Sequence, residues 1–286
     1  MLTSKRDLPL LREVIMQLLC GNGNFLPNRR IPIGSDLFMK LTNNGEALRS
    51  FIHGIDFGEN NPMTVEIIYQ SKEAYYDEIG DLNLDIAITH LPQDDHYYKL
   101  LLDPIKNMPK MCTFAIGAII QRAVRNMAAT ECYVNVGVWS GYSLIAGLLG
   151  NNDRRVIGVD NFSQFGGPKE EAFNKFNSIK SSNHHLVEMD YRDYFASTHQ
   201  GDIGVYFYDG DHDYDNQFNG LAAAEPFFSP NCLILVDDTN MFDPRQATFD
   251  FLEQSKHSYE ILMDQQTAGN YHPTFWNGLM VIQRTK

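Results

Sequence analysis

Five aspartates and a histidine fall in two short stretches, Tyr208-Asp209-Gly-Asp211-His212-Asp213-Tyr214 and Val236-Asp237-Asp238-Thr-Asn240. Each stretch follows an apolar run that reads as a strand. In neighbouring strands, about 5 Å apart, Asp209 and the Asp237–Asp238 pair would meet at one edge of a sheet. Three converging carboxylates repel one another unless a cation joins them. Hard oxygen ligands without cysteine point to Mg²⁺, with Mn²⁺ or Ca²⁺ as alternatives. His212, three residues past Asp209, could take the proton of a hydroxyl held beside such a cation. The plainer account is that the acids end strands and cap helices, with His212 a surface residue beside them.

A second constellation is the run Asn135-Val-Gly137-Val-Trp-Ser-Gly141-Tyr-Ser143. Gly137 lets the chain turn sharply off a strand, and Gly141 lets backbone approach a ligand at the following helix start. The free N–H groups there suit a carboxylate or a phosphate, and Ser143 adds a hydroxyl. Asp160, at the end of the next strand, is placed to accept hydrogen bonds from a ribose diol. A nicotinamide cofactor usually asks for three glycines to seat its pyrophosphate. Trp139 and Tyr142 crowd this loop, which suits a cofactor carrying only an amino-acid carboxylate. Asp190, just after a third strand, is a candidate adenine contact.

The run Gly137-Val-Trp-Ser-Gly-Tyr-Ser143 resembles the first motif of class I S-adenosylmethionine-dependent methyltransferases, especially catechol-type and macrocin-type O-methyltransferases. Gly158-Val-Asp-Asn-Phe162 is similar to the second-strand motif of the macrocin-type group. The resemblance covers about residues 110–285. It implies that Ser143 holds the methionine carboxylate and Asp160 the ribose. It also implies that Asp209 binds metal while His212 acts as base, since Asp-x-x-His matches the macrocin-type arrangement. The family has Glu or Asp where this chain has Asn135, so the contact to the cofactor's ammonium group is expected to be weaker. The implied activity is metal-assisted O-methylation of a hydroxylated small molecule, sugar or natural-product-like. The rivals are a non-catalytic S-adenosylmethionine-binding protein of the same fold and a nicotinamide-dependent oxidoreductase.

These residues need elements to position them. Strands are expected over Cys132–Gly137, Val156–Asp160, His185–Met189, Ile203–Asp209 and Cys232–Asp238, with a terminal pair over Tyr259–Met263 and Leu279–Gln283. Helices are expected over Thr113–Met127, Tyr142–Leu149, Lys169–Ile179 and Asn216–Phe228. The alternation implies a doubly wound, Rossmann-like α/β fold with a mostly parallel seven-stranded sheet. Its ligands should bind beyond the carboxyl ends of the strands, where strand order reverses. Residues 1–105 form a smaller α+β region of different pattern, and 106–286 the catalytic domain. The first region shows an amphipathic helix (8–19), a Gly/Asn/Pro-rich loop (21–32) and β-like runs at Val65–Tyr69 and Leu84–Thr89. It offers no chemistry and is expected to serve as an oligomer contact or a lid.

The balance of 43% hydrophobic and 21% charged residues in 286 is that of an ordinary soluble protein. A net charge of −13, with basic residues clustered no further than the isolated pairs Lys5–Arg6, Arg29–Arg30 and Arg154–Arg155, argues against a phosphate-backbone partner. No Asn-Pro-Pro-Tyr type motif suggests a nucleic-acid amino group as acceptor. The four cysteines lack metal spacing and read as free thiols in a reducing, cytoplasmic setting. No run is long enough to suggest a membrane span.

Overall fold

The computed structural model describes residues 44–57, 83–267 and 271–285. The expected helix at 8–19, the loop at 21–32 and the run Val65–Tyr69 lie outside them. In chain order the first elements are α1 (Asn44–His53), α2 (Leu84–Ile88), α3 (Asp95–Leu101), a 3₁₀ turn (Asp103–Ile105) and α4 (Phe114–Asn126). The alternating part follows as β1 (Cys132–Val136), α5 (Tyr142–Leu148), β2 (Arg155–Asp160), α6 (Lys169–Ile179), β3 (His184–Glu188) and α7 (Tyr191–Ser197). Then come β4 (Ile203–Tyr208), α8 (Tyr214–Ala224), β5 (Phe228–Asp237), α9 (Phe242–Gln254), β6 (Tyr259–Gln265) and β7 (Leu279–Arg284).

The seven-stranded sheet has the order β3-β2-β1-β4-β5-β7-β6. Strands β1 to β5 pair in parallel, and β7 runs antiparallel to both β5 and β6. The doubly wound, mostly parallel fold is therefore as expected. From β1 the chain steps outward to β2 and β3, then crosses back to β4 and β5. The reversal lies between β1 and β4, so a crevice opens at their carboxyl ends. Residues 134–136 lie beside 206–208, which brings the glycine loop next to the first acid.

The middle strands are short and apolar because both sheet faces are covered. One layer of the core holds Phe114, Ile119 and Ile120 of α4 with Leu144, Ile145 and Leu148 of α5. The other holds Tyr191 and Phe195 of α7, Leu221 of α8 and Phe251 of α9. Helix α4 begins where expected, with Thr113 accepting from Ile116 N. Its outer side is covered by Leu48 and Phe51 of α1, Tyr98 of α3, Leu102 and Ile105, all nearly inaccessible. Arg122 lies against the Phe51 ring at 4.8 Å and donates to Gln93 Oε1. Phe51→Ala should therefore lower unfolding stability by about 3–5 kcal/mol in a denaturant titration. A loss under about 1 kcal/mol would mean this packing is dispensable.

One expectation fails outright: Leu84–Thr89 is not a strand but helix α2. Its alternation places Asp85 inward, where the carboxylate accepts from Lys110 Nζ and Phe114 N, both at 2.7 Å. That buried ion pair, not a sheet ladder, holds the segment against α4. Several boundaries also move. Pro226 ends the crossover helix at Ala224 in favour of a 3₁₀ turn, and β5 begins at Phe228. Asp238 falls outside β5, in a left-handed conformation with φ 57°.

Candidate active site

The crevice at the reversal point is a cavity of about 420 Å³. Its floor is Val136 and Gly137 at the end of β1, and Asp209, Asp237 and Asp238 stand on one flank. Gly137 has φ 82°, and a Cβ there would lie 1.8 Å from the Asp209 carbonyl oxygen. Only glycine lets the ends of β1 and β4 approach so closely. Gly137→Ala must force that backbone apart at a cost of about 3 kcal/mol or more. We expect a lower melting temperature together with loss of cofactor binding; a variant with wild-type melting and binding would contradict this role.

The glycine loop folds back on itself. Asn135 is fully buried, and its Nδ2 donates to Gly137 O at 2.9 Å. Ser143 Oγ donates to Asn135 Oδ1 at 2.9 Å and is itself buried. Ser140 Oγ donates to Pro109 O, which staples the loop to the segment before α4. Asn135, Gly141 and Ser143 thus lie behind the loop rather than on the cavity lining. Ser143 is not brought to the cavity, because its hydroxyl is engaged with Asn135. Gly141 works as the left-handed start of α5, at φ 103°.

Asp160 borders the cavity. Its Oδ2 accepts from Val138 N at 2.6 Å and Trp139 N at 2.8 Å, and its Oδ1 accepts from Phe162 N at 2.6 Å. Asp190, on the far flank, caps α7 by accepting from Arg192 N and pairs with the Arg192 guanidinium at 3.4 Å. Across the mouth, Trp139 Nε1 donates to Phe165 O and Gln164 Nε2 donates to Asp211 Oδ2.

The acids and the histidine do meet. His212 Nε2 is 3.6 Å from Asp209 Oδ1 and 3.4 Å from Asp238 Oδ2. Burial, then the charge of Asp238, push the Asp209 carboxyl well above the usual range. Asp237 is pushed up by burial and by both neighbouring acids, with His212 pulling the other way. Asp238 is raised by burial, against the opposing pull of His212 and Asn277. Asp237 is 1% exposed, and its Oδ1 has no hydrogen-bond partner among the described residues. An orphaned carboxylate oxygen among mutually repelling acids fits a cation, and the all-oxygen donors fit a hard one. As they stand, no three His, Cys, Asp or Glu side chains among the described residues converge closely enough to hold a metal.

Asn277 escaped the sequence reading. Its Nδ2 donates to Asp238 Oδ1 at 2.7 Å, while its own Oδ1 accepts from Tyr271 N. Part of the remaining wall is apolar: Met111, Met241, Tyr271 and Trp276, with the two rings meeting edge-on at 5.3 Å. An aromatic-rich stretch before the last strand was the only signal for it.

Residues 134–239 match a family model described as a methyltransferase domain. No curated protein matches the chain. Among solved structures, the chain is similar to the O-methyltransferase from Bacillus cereus in complex with SAH. Identity is 15%, covering 66% of this chain and 91% of that one, with a TM-score of 0.49. It is similar to cofactor-bound Rv0187 from MTB at 16% identity, over 67% and 89% of the two chains, TM-score 0.49. For the O-methyltransferase NovP the figures are 19%, 60%, 81% and 0.44. The segment that carries both the glycine loop and the acids is thus similar to a methyltransferase domain, which bears out the resemblance read from Gly137–Ser143.

Proposed function

We propose that this chain is an S-adenosylmethionine-dependent O-methyltransferase that uses a divalent cation, with Mg²⁺ the first candidate. The observation that carries the reading is the meeting of Asp209, Asp237, Asp238 and His212 in the cavity that the glycine loop closes. The acceptor is a small hydroxylated molecule, sugar or natural-product-like, in a cytoplasmic setting. The acidic balance of the chain speaks against a nucleic-acid acceptor. Among the described residues no helix is long and apolar enough to cross a membrane.

When bound, S-adenosylmethionine supplies a sulfonium methyl, and a cation supplies charge that makes a nearby hydroxyl more acidic. Asp209, Asp237 and Asp238 would hold that cation. Trp139, Phe162 and the Met111–Met241 wall would exclude water and orient the reactants. His212 would receive the acceptor's proton at Nε2, the nitrogen that faces the acids. Gly137, Trp139 and Asp160 on the cavity lining would hold the cofactor that supplies this methyl.

Residues 1–105 are proposed, as before, to build an oligomer contact or a lid. Comparing the solution mass and the activity of the full chain with those of a chain lacking residues 1–43, which keeps the buried cover of α4, separates the two. For the activity itself, S-adenosylhomocysteine release is measured over a panel of hydroxylated acceptors, with Mg²⁺ or with a chelator. Release that needs both acceptor and metal supports the reading. No release and no S-adenosylmethionine binding would sink it.

A further inference from the structure

We infer that Asp160 is a positioning residue whose carboxylate fixes the two aromatic turns that wall the cofactor cavity, with ribose contact the smaller part of its work. The inference rests on the cofactor reading above. A carboxylate offers about four acceptor sites. Three of them are taken by backbone N–H groups from two separate loops, those of Val138, Trp139 and Phe162. Two of these donors belong to residues that need holding. Trp139 has φ 45° and Phe162 φ 53°, in the left-handed region that bulky side chains rarely adopt. Both side chains line the cavity, and so their placement sets its width. The bond from Trp139 Nε1 to Phe165 O closes the same pair of loops on the outside at 3.0 Å. One carboxylate thus joins the loop after β1 to the loop after β2 from beneath, leaving about one acceptor site for a ligand hydroxyl.

The two roles of Asp160 separate in a cycle run on the ligand. Calorimetry compares S-adenosylhomocysteine with its 2′,3′-dideoxy analogue on the wild type and on Asp160→Ala. We expect the substitution to weaken both ligands by a similar factor, roughly 10- to 150-fold. A loss that disappears with the dideoxy analogue would show a ribose contact alone and overturn the inference. A second measurement needs no ligand. The chain has two tryptophans, so a Trp276→Phe background leaves Trp139 as the sole indole. In that background Asp160→Ala should raise acrylamide quenching of Trp139, while Asp160→Asn, which keeps one acceptor oxygen, should fall between. Unchanged quenching in both would also overturn the inference. If Asp160→Ala does not fold, as judged by melting, Asp160→Asn carries both measurements. Increased quenching without any S-adenosylhomocysteine binding by the wild type would keep the clamp and sink the cofactor reading instead.

Discussion

His212→Ala should slow methyl transfer by about 10²–10⁴-fold, the range for losing a positioned base. The imidazole lines the cavity, and its Nε2 lies within 3.6 Å of both Asp209 and Asp238. Its ion pairs run to Asp209 and Asp238 rather than to the glycine loop that Asp160 organises, so S-adenosylhomocysteine affinity should change by less than about three-fold. The rate is read in a single turnover with an acceptor from the panel, which keeps product release out of the measurement. A second signature is the pH–rate profile, whose basic-group limb should vanish in the variant. If cation coordination alone makes the hydroxyl acidic enough, the limb survives and the loss stays under about ten-fold. That result would leave His212 as an orienting group. Full activity in a chelator together with a silent His212 substitution would remove the metal-assisted mechanism altogether.

Removing one acid should stabilise the protein while disabling it. The carboxyls of Asp209, Asp237 and Asp238 all titrate above their ordinary range in the fold. A raised value means that the folded state holds these protons more tightly than the unfolded chain does. The contribution to stability is therefore complete below the ordinary carboxylate range and is lost as pH rises through the raised values. As pH rises above the ordinary carboxylate range, the ligand-free protein therefore bears a growing cost for these buried acids. Asp237→Asn should then raise unfolding stability by about 1 kcal/mol or more at pH 7.5, and have little effect near pH 4. Mg²⁺ should stabilise the wild type at pH 7.5 and the variant much less. Activity of Asp237→Asn should fall at least about ten-fold and respond to added Mg²⁺. A variant less stable than wild type at every pH, with an unaltered response to Mg²⁺, would refute the cation site.

Much of the frame was legible because the central strands obey a simple rule. Apolar runs such as Val156–Val159 and Ile203–Tyr208 are buried on both faces and end in a turn or an acid, which fixes both their type and their exit. Helix α6 spans Lys169–Ile179, the limits that its pattern alone implies. Helix α7 was missed although Tyr191, Tyr194 and Phe195 show helical spacing, because two turns are too short to stand out. Segment Leu84–Thr89 misled because a buried acid made a helix resemble an alternating strand. In the site, acids that end strands announce themselves. The neutral residues that aim them do not: Asn277 reaches Asp238 across 39 positions of sequence. Ser143 shows the converse, since its place in a familiar motif says nothing of the buried Asn135 that occupies its hydroxyl.

The seating of β7 between β5 and β6 sets an order of events during synthesis. While a chain emerges from the ribosome, β1 to β5 can assemble as a parallel half with β5 as a bare edge. Strand β6 follows β5 in sequence but has no place of its own beside it; it joins only through β7. Until residues 279–284 have left the exit tunnel, β5 displays unpaired backbone groups, a template for pairing between nascent chains. Trp276 and Asn277 lie just before β7, so the wall of the cavity and the support for Asp238 arrive with that same strand. Catalytic competence and protection from aggregation should therefore be acquired together, when β7 takes its place.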